Sequence, residues 1–154
     1  MELFLGPDVV LIPVPRSAPI KDPSTLWPAE RICARLAASG FGREVLPCLS
    51  RTVAVPKSAF AGAGQRPTAQ LHFETMAVDA GLVRPERITV VDDVVTKGAT
   101  LLATASLVAM AFPDAEVRAF ALLRTMGRVE DIERIVDPCQ GTLTWGGSEV
   151  HRSP

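Results

Sequence analysis

Charge of either sign is in balance along this chain. Lysine and arginine number 16 against 17 aspartate and glutamate, a formal net charge of -1. Such a balance supplies no overall field to draw nucleic acid or an anionic membrane. Cysteine is scarce as well: Cys33, Cys48 and Cys139 are an odd, widely spaced set with no C-x-x-C pair. Neither a disulfide framework nor a zinc knuckle is indicated, and the three thiols read as buried, reduced core residues. No apolar run reaches the length of a membrane span, and the stretch MELFLGPDVV lacks the basic start of a secretory signal, so a cytoplasmic protein is expected. Internal repeats and dividing linkers are also missing.

What is present is the material of one ordinary domain, expected to span 1–154. Apolar residues make up 47% of 154 positions and charged residues 21%, enough for a single core. Asp8 to Val14 is a short apolar run bounded by prolines, suited to a buried strand with an abrupt turn after it. Leu26 to Ser39 places Ala29, Ile32, Cys33 and Leu36 on one helical face, with Pro28 in the first turn and Gly40 as the stop. Arg43 to Leu49 reads as a strand, with Pro47 marking an edge or an early end. From Ser50 to Pro67 the pattern dissolves into Pro, Gly, Ala and Ser, with Arg51, Lys57 and Arg66 among them. A loop of that length in a compact domain is functional or mobile.

Thr68 suits the cap of a helix running to about Ala80, with Gly81 ending it. Arg87 to Asp92 is the clearest strand, and Thr100 to Phe112 the clearest helix, apolar on nearly every face and therefore packed deep. Glu116 to Arg124 gives another strand, Val129 to Val136 a short helix, and Gly141 to Gly147 an irregular tail carrying Trp145. This alternation predicts an α/β fold: an open, mostly parallel sheet with helices on both faces.

The most informative stretch is RITVVDDVVTKGATLL, residues 87–102. It ends an apolar strand on two adjacent carboxylates, Asp92 and Asp93, at the strand end where open parallel sheets bind ligands. Just beyond, Thr96-Lys97-Gly98-Ala99-Thr100 leads into a helix. Free backbone N–H groups, the positive end of the helix dipole and threonine hydroxyls converge there as a phosphate cradle. A side chain at position 98 would hold the backbone away from phosphate oxygens, hence glycine. Carboxylates beside such a cradle require something between them and the phosphate, and sugar hydroxyls with a hydrated Mg²⁺ fit. The stretch therefore asks for a ribose 5-phosphate.

Hydrophobics, Asp92-Asp93, two more hydrophobics, then Thr96-x-Gly98-x-Thr100 resembles the phosphoribosyl-pyrophosphate signature of type I phosphoribosyltransferases. It is most similar to that of the short ComF-like members, whose version differs here only at Lys97. The resemblance implies that fold, with a small or reduced hood formed by a tail over 136–154 and a flexible active-site loop over 50–67. Asp92 and Asp93 would hold the ribose 2′ and 3′ hydroxyls and, through water, Mg²⁺. Thr96, Lys97, Gly98, Ala99 and Thr100 would wrap the 5-phosphate. Ile12-Pro-Val-Pro-Arg-Ser17 resembles the segment preceding the family's pyrophosphate loop, which makes Arg16 and Ser17, with Lys57 and Arg66 on the mobile loop, candidates for the diphosphate. With Asp92, Asp93 and Arg16 as the catalytic set, the reaction would be displacement of pyrophosphate at ribose C1 by an unidentified nitrogen acceptor, and a homodimer is compatible with such a chain.

Each residue also has a plainer reading. An Asp-Asp after hydrophobics opens receiver domains too, but there the pair ends the first strand, and here strands precede it. Arg16, Lys57 and Arg66 could be ordinary surface cations. Trp145 could stack on a base or plug the end of the core. His72, at helical spacing from Thr68 and Met76, reads as a packed or solvated helix residue rather than a catalyst. A non-catalytic module that senses the phosphoribosyl donor or a nucleotide is the second functional expectation.

Overall fold

The computed structural model describes residues 3–56, 67–125, 137–146 and 149–153. The chain begins with β1 (Val10–Pro13), all four residues buried, as an unbroken apolar run in a parallel sheet must be. Helix α1 (Pro28–Ala38) follows, with proline at its first position, and Gly40 leaves it at a φ of 79°. Next come β2 (Glu44–Val45) and β3 (Leu49–Arg51), then α2 (Ala69–Glu74), β4 (Met76–Val78) and β5 (Arg87–Val95). The order closes with α3 (Ala99–Ala111), β6 (Glu116–Arg124), β7 (Thr142–Gly146) and β8 (Glu149–Ser153).

Four strands form one parallel sheet in the order β2-β1-β5-β6. The expected open α/β architecture is present, with a helix on each face. On one face Cys33 of α1 packs with Leu11 and Val91, and on the other Leu101 and Val108 of α3 pack with Val10, Ile12 and Val90. Truncating one of these buried aliphatics to alanine costs about 2–5 kcal/mol, so the two clusters hold the sheet rigid. A further side of α3 is covered over its first turns, where Ala103 packs against Ala69 and Met76 with Val150 alongside, while Met110 near its end is exposed.

Several expectations are corrected. The strand expected over Arg43 to Leu49 splits at Pro47, which cannot donate to a ladder: two residues stay on the sheet edge and β3 leaves for another partner. That partner is β4, paired antiparallel with Leu49 opposite Val78 and Arg51 opposite Met76. The helix begins at the Thr68 cap as expected, Thr68 Oγ1 accepting from the Leu71 amide at 3.1 Å, but it stops at Glu74 rather than near Ala80. Pairing with β3 claims Met76–Val78. The segment from Ser50 is accordingly strand through Arg51, and Thr142–Gly146 of the expected irregular tail is instead half of a two-stranded antiparallel ribbon with β8. Cys139 is exposed, unlike buried Cys33 and Cys48. The helix expected over Val129 to Val136 lies outside the described residues.

Candidate functional site

Because β2 and β5 lie on opposite sides of β1, the chain reverses its direction of travel across the sheet between β1 and β5. At such a reversal the loops leaving the two neighbouring strands diverge, and the place beyond their carboxyl ends is the usual ligand position in an open α/β sheet. Two of the segments singled out in the sequence flank it: Arg16 and Ser17 follow β1, and Thr96 to Thr100 follow β5. A separate concavity of about 240 Å³, lined by Arg84, Glu86, Phe112 and Asp114, lies at the opposite, amino-terminal end of β5.

The acid pair does not end its strand as expected. Strand β5 continues to Val95 because β6 runs equally far beside it, Asp92 opposite Ala121 and Val95 opposite Arg124. Both acids are half-buried. Asp92 Oδ1 accepts from the Asp93 amide at 2.9 Å, and Asp93 Oδ1 from the Val94 amide at 2.8 Å. Neither carboxylate has an ion-pair partner among the described residues. Desolvation first, and then sharing a proton and charge with Asp93, raises the Asp92 pKa from 3.8 to about 7.

Gly98 is the cap of α3, buried and held at a φ of 88°. No side chain caps the helix start, so its first-turn amides, Ala99 and Thr100 among them, have no partner from the cap residue. The glycine has a second cause besides close approach to a phosphate. A Cβ at this position would lie 2.5 Å from Leu143 Cδ2, because the C-terminal ribbon sits on the turn. Further contacts fix the ribbon there: Lys97 Nζ lies 3.8 Å from Glu149 Oε1, and Arg152 donates to the Thr125 carbonyl at 2.9 Å. Trp145 is on β7 opposite Val150 and 45% exposed, so it does not plug the core. Thr96 is half-buried, Lys97 exposed. Lys57 and Arg66 lie outside the described residues.

Two residues that sequence reasoning left aside join the parts. Arg51, which looked like one of several loop cations, is 5% exposed, and His72 is 3% exposed. Arg51 Nε donates to the Arg16 carbonyl at 3.0 Å and NH1 to Thr75 Oγ1 at 2.8 Å, while NH2 faces His72 Nδ1 at 3.3 Å. The other imidazole nitrogen, Nε2, lies 3.1 Å from Thr100 Oγ1. The Val55 amide also donates to the Ser17 carbonyl at 2.7 Å. The loop after β1 is thereby tied through the β3–β4 ribbon and α2 to the first turn of α3. Burial lowers Arg51 to about 10, which leaves it charged at neutral pH. Burial and then the Arg51 charge lower His72 to about 4. The available signal in the sequence was the Thr68 cap, which sets the phase of α2 and with it the buried side of His72.

No protein-family model matches the chain, and no curated protein matches it. Among the described residues, no helix is long and apolar enough to cross a membrane.

Proposed function

We propose that this chain is a phosphoribosyltransferase-like protein of the type I fold that binds phosphoribosyl pyrophosphate together with Mg²⁺. The observation that carries this reading is the β1–β5 reversal in the sheet, at whose carboxyl ends stand the half-buried Asp92-Asp93 pair, the uncapped start of α3 and the loop bearing Arg16. Phosphate favours a helix start for its free N–H groups and dipole, and a carboxylate pair beside it suits vicinal hydroxyls.

In this reading Thr96 to Thr100 hold the 5-phosphate, and Asp92 and Asp93 accept from the ribose 2′ and 3′ hydroxyls. Arg16 and Ser17, joined by Lys57 and Arg66, receive the diphosphate. Among the described residues no group of three His, Cys, Asp or Glu side chains could cage a metal. Two carboxylates without a cationic partner nevertheless fit Mg²⁺, which keeps several waters and takes its remaining ligands from substrate phosphates. When bound, Mg²⁺ supplies charge neutralisation on the leaving diphosphate. The chain's own work is electrostatic: Arg16 faces the growing negative charge of the leaving group, and the carboxylates the growing positive character of the ribose ring. The acceptor is a nitrogen nucleophile that attacks ribose C1 as the C1–O bond to pyrophosphate breaks.

The C-terminal ribbon lying on Gly98 favours a second reading, a module that binds the donor or a nucleotide without transferring the ribosyl group. Incubation with phosphoribosyl pyrophosphate, Mg²⁺ and a panel of nitrogenous bases separates the two. Base-dependent release of pyrophosphate supports the transferase, saturable binding without release supports the module, and absence of binding removes both.

A further inference from the structure

Two threonine hydroxyls bond back into a helix, and that of Thr100 behaves differently. Thr75 Oγ1 donates to the Leu71 carbonyl at 2.6 Å and Thr104 Oγ1 to the Thr100 carbonyl at 2.8 Å, each back-bonding four residues earlier. Thr100 makes no such bond among the described residues; its oxygen faces His72 Nε2 at 3.1 Å. The polarity of that contact follows from the opposite side of the imidazole ring. A guanidinium has donors and no acceptor, so Arg51 NH2, 3.3 Å from Nδ1, requires a lone pair there. A neutral ring with a lone pair on Nδ1 carries its proton on Nε2. Nε2 therefore donates to Thr100 Oγ1, and the threonine hydrogen is left for another acceptor. The arrangement is held firmly because Arg51 is itself fixed by the Arg16 carbonyl and Thr75 Oγ1.

We propose that His72 is a positioning residue for the phosphate cradle: by donating to Thr100 Oγ1 it holds that oxygen in place and leaves the threonine hydrogen free to donate to a phosphate oxygen of the ligand. This rests on the phosphoribosyl reading of the same site. It extends that reading by giving the buried Arg51–His72 pair a part in ligand recognition, acting through Thr100 rather than by contact with the ligand. An anion suits this position because the freed hydroxyl hydrogen calls for an acceptor.

Two measurements test the proposal. Nitrogen NMR of the imidazoles at pH 7, with His151→Gln to separate the two histidines, should show His72 neutral and protonated on Nε2; an Nδ1-protonated ring or an imidazolium overturns the proposal without any risk of misfolding. Titration with ribose 5-phosphate then reads the coupling. Thr100→Val and His72→Phe should each weaken affinity roughly tenfold, the scale of one hydrogen bond to a charged group. The double variant should be no weaker than Thr100→Val alone, and His72→Gln, whose amide can accept and donate, should recover part of the loss. Wild-type binding with losses that multiply in the double variant overturns this proposal alone. A wild-type chain that does not bind ribose 5-phosphate overturns the phosphoribosyl reading and this proposal with it.

Discussion

Replacing Asp92 by asparagine should stabilise the protein, by an amount that depends on pH. A carboxyl whose pKa moves from 3.8 to about 7 on folding binds its proton more tightly in the folded state. Its contribution to stability is complete below 3.8 and is lost as pH rises through about 7. At about 1.4 kcal/mol for each tenfold change in proton affinity, the ceiling is about 4 kcal/mol. Partial exposure and sharing with Asp93 reduce this to about 1–3 kcal/mol. Asparagine mimics the protonated acid: its oxygen can keep the Asp93 amide bond, and its N–H can face the Asp93 carboxylate. The melting temperature of Asp92→Asn should therefore exceed that of wild type at pH 8 by about 3–9 °C, and the gain should fall to less than half of that at pH 5, vanishing only below 3.8. His72 titrates in both proteins and drops out of the difference. With Asp92 removed its own effect becomes visible: a pKa lowered from 6.5 to about 4 gives stability present above 6.5 and lost as pH falls towards 4. Calorimetric or urea unfolding at the two pH values decides it. A gain equal at both, or a loss at pH 8, would refute the reasoning.

The same proton should compete with ligand, so Mg²⁺-dependent affinity for phosphoribosyl pyrophosphate should rise between pH 6 and 8 as Asp92 ionises; a flat profile by calorimetry speaks against that carboxylate's role. Gly98→Ala should destabilise by about 1–3 kcal/mol, since a φ of 88° and the contact with Leu143 both oppose a methyl group. Pairing it with Leu143→Ala should relieve the steric part, read from urea midpoints. Burial raises Cys33 to about 12 and Cys48 to about 11, whereas Cys139 is exposed, so a thiol reagent at pH 8 should titrate one fast cysteine in the native protein and three after unfolding.

Elements that carry their own periodic signal were legible in the sequence. The apolar runs of β1 and β6, the apolar face of α1 and the all-round apolar α3 fall where pattern and turn residues put them. Elements that depend on distant partners were not. Met76-Ala77-Val78 continues the helical spacing of α2 equally well, and becomes a strand because Leu49–Arg51 lies beside it. Two acids look like a strand end, yet pairing with Ala121 to Arg124 carries β5 through them. The C-terminal ribbon is short and largely exposed, so no buried face marks its strands. At the site, the Asp92-Asp93 pair and the turn into α3 were legible because they are contiguous. Arg51 and His72 were not, because ribbon pairing brings them together across twenty-one positions.

The central claim is a phosphoribosyl site, and isothermal titration of phosphoribosyl pyrophosphate with Mg²⁺ into the wild-type chain and Asp93→Asn tests it most directly. Saturable wild-type binding is expected. The folded variant should be weaker by about 1–3 kcal/mol, the loss typical of hydrogen bonds to a charged group, with inorganic pyrophosphate, which lacks the ribose, affected less. No wild-type binding, or equal donor affinity in the two proteins, would contradict the claim.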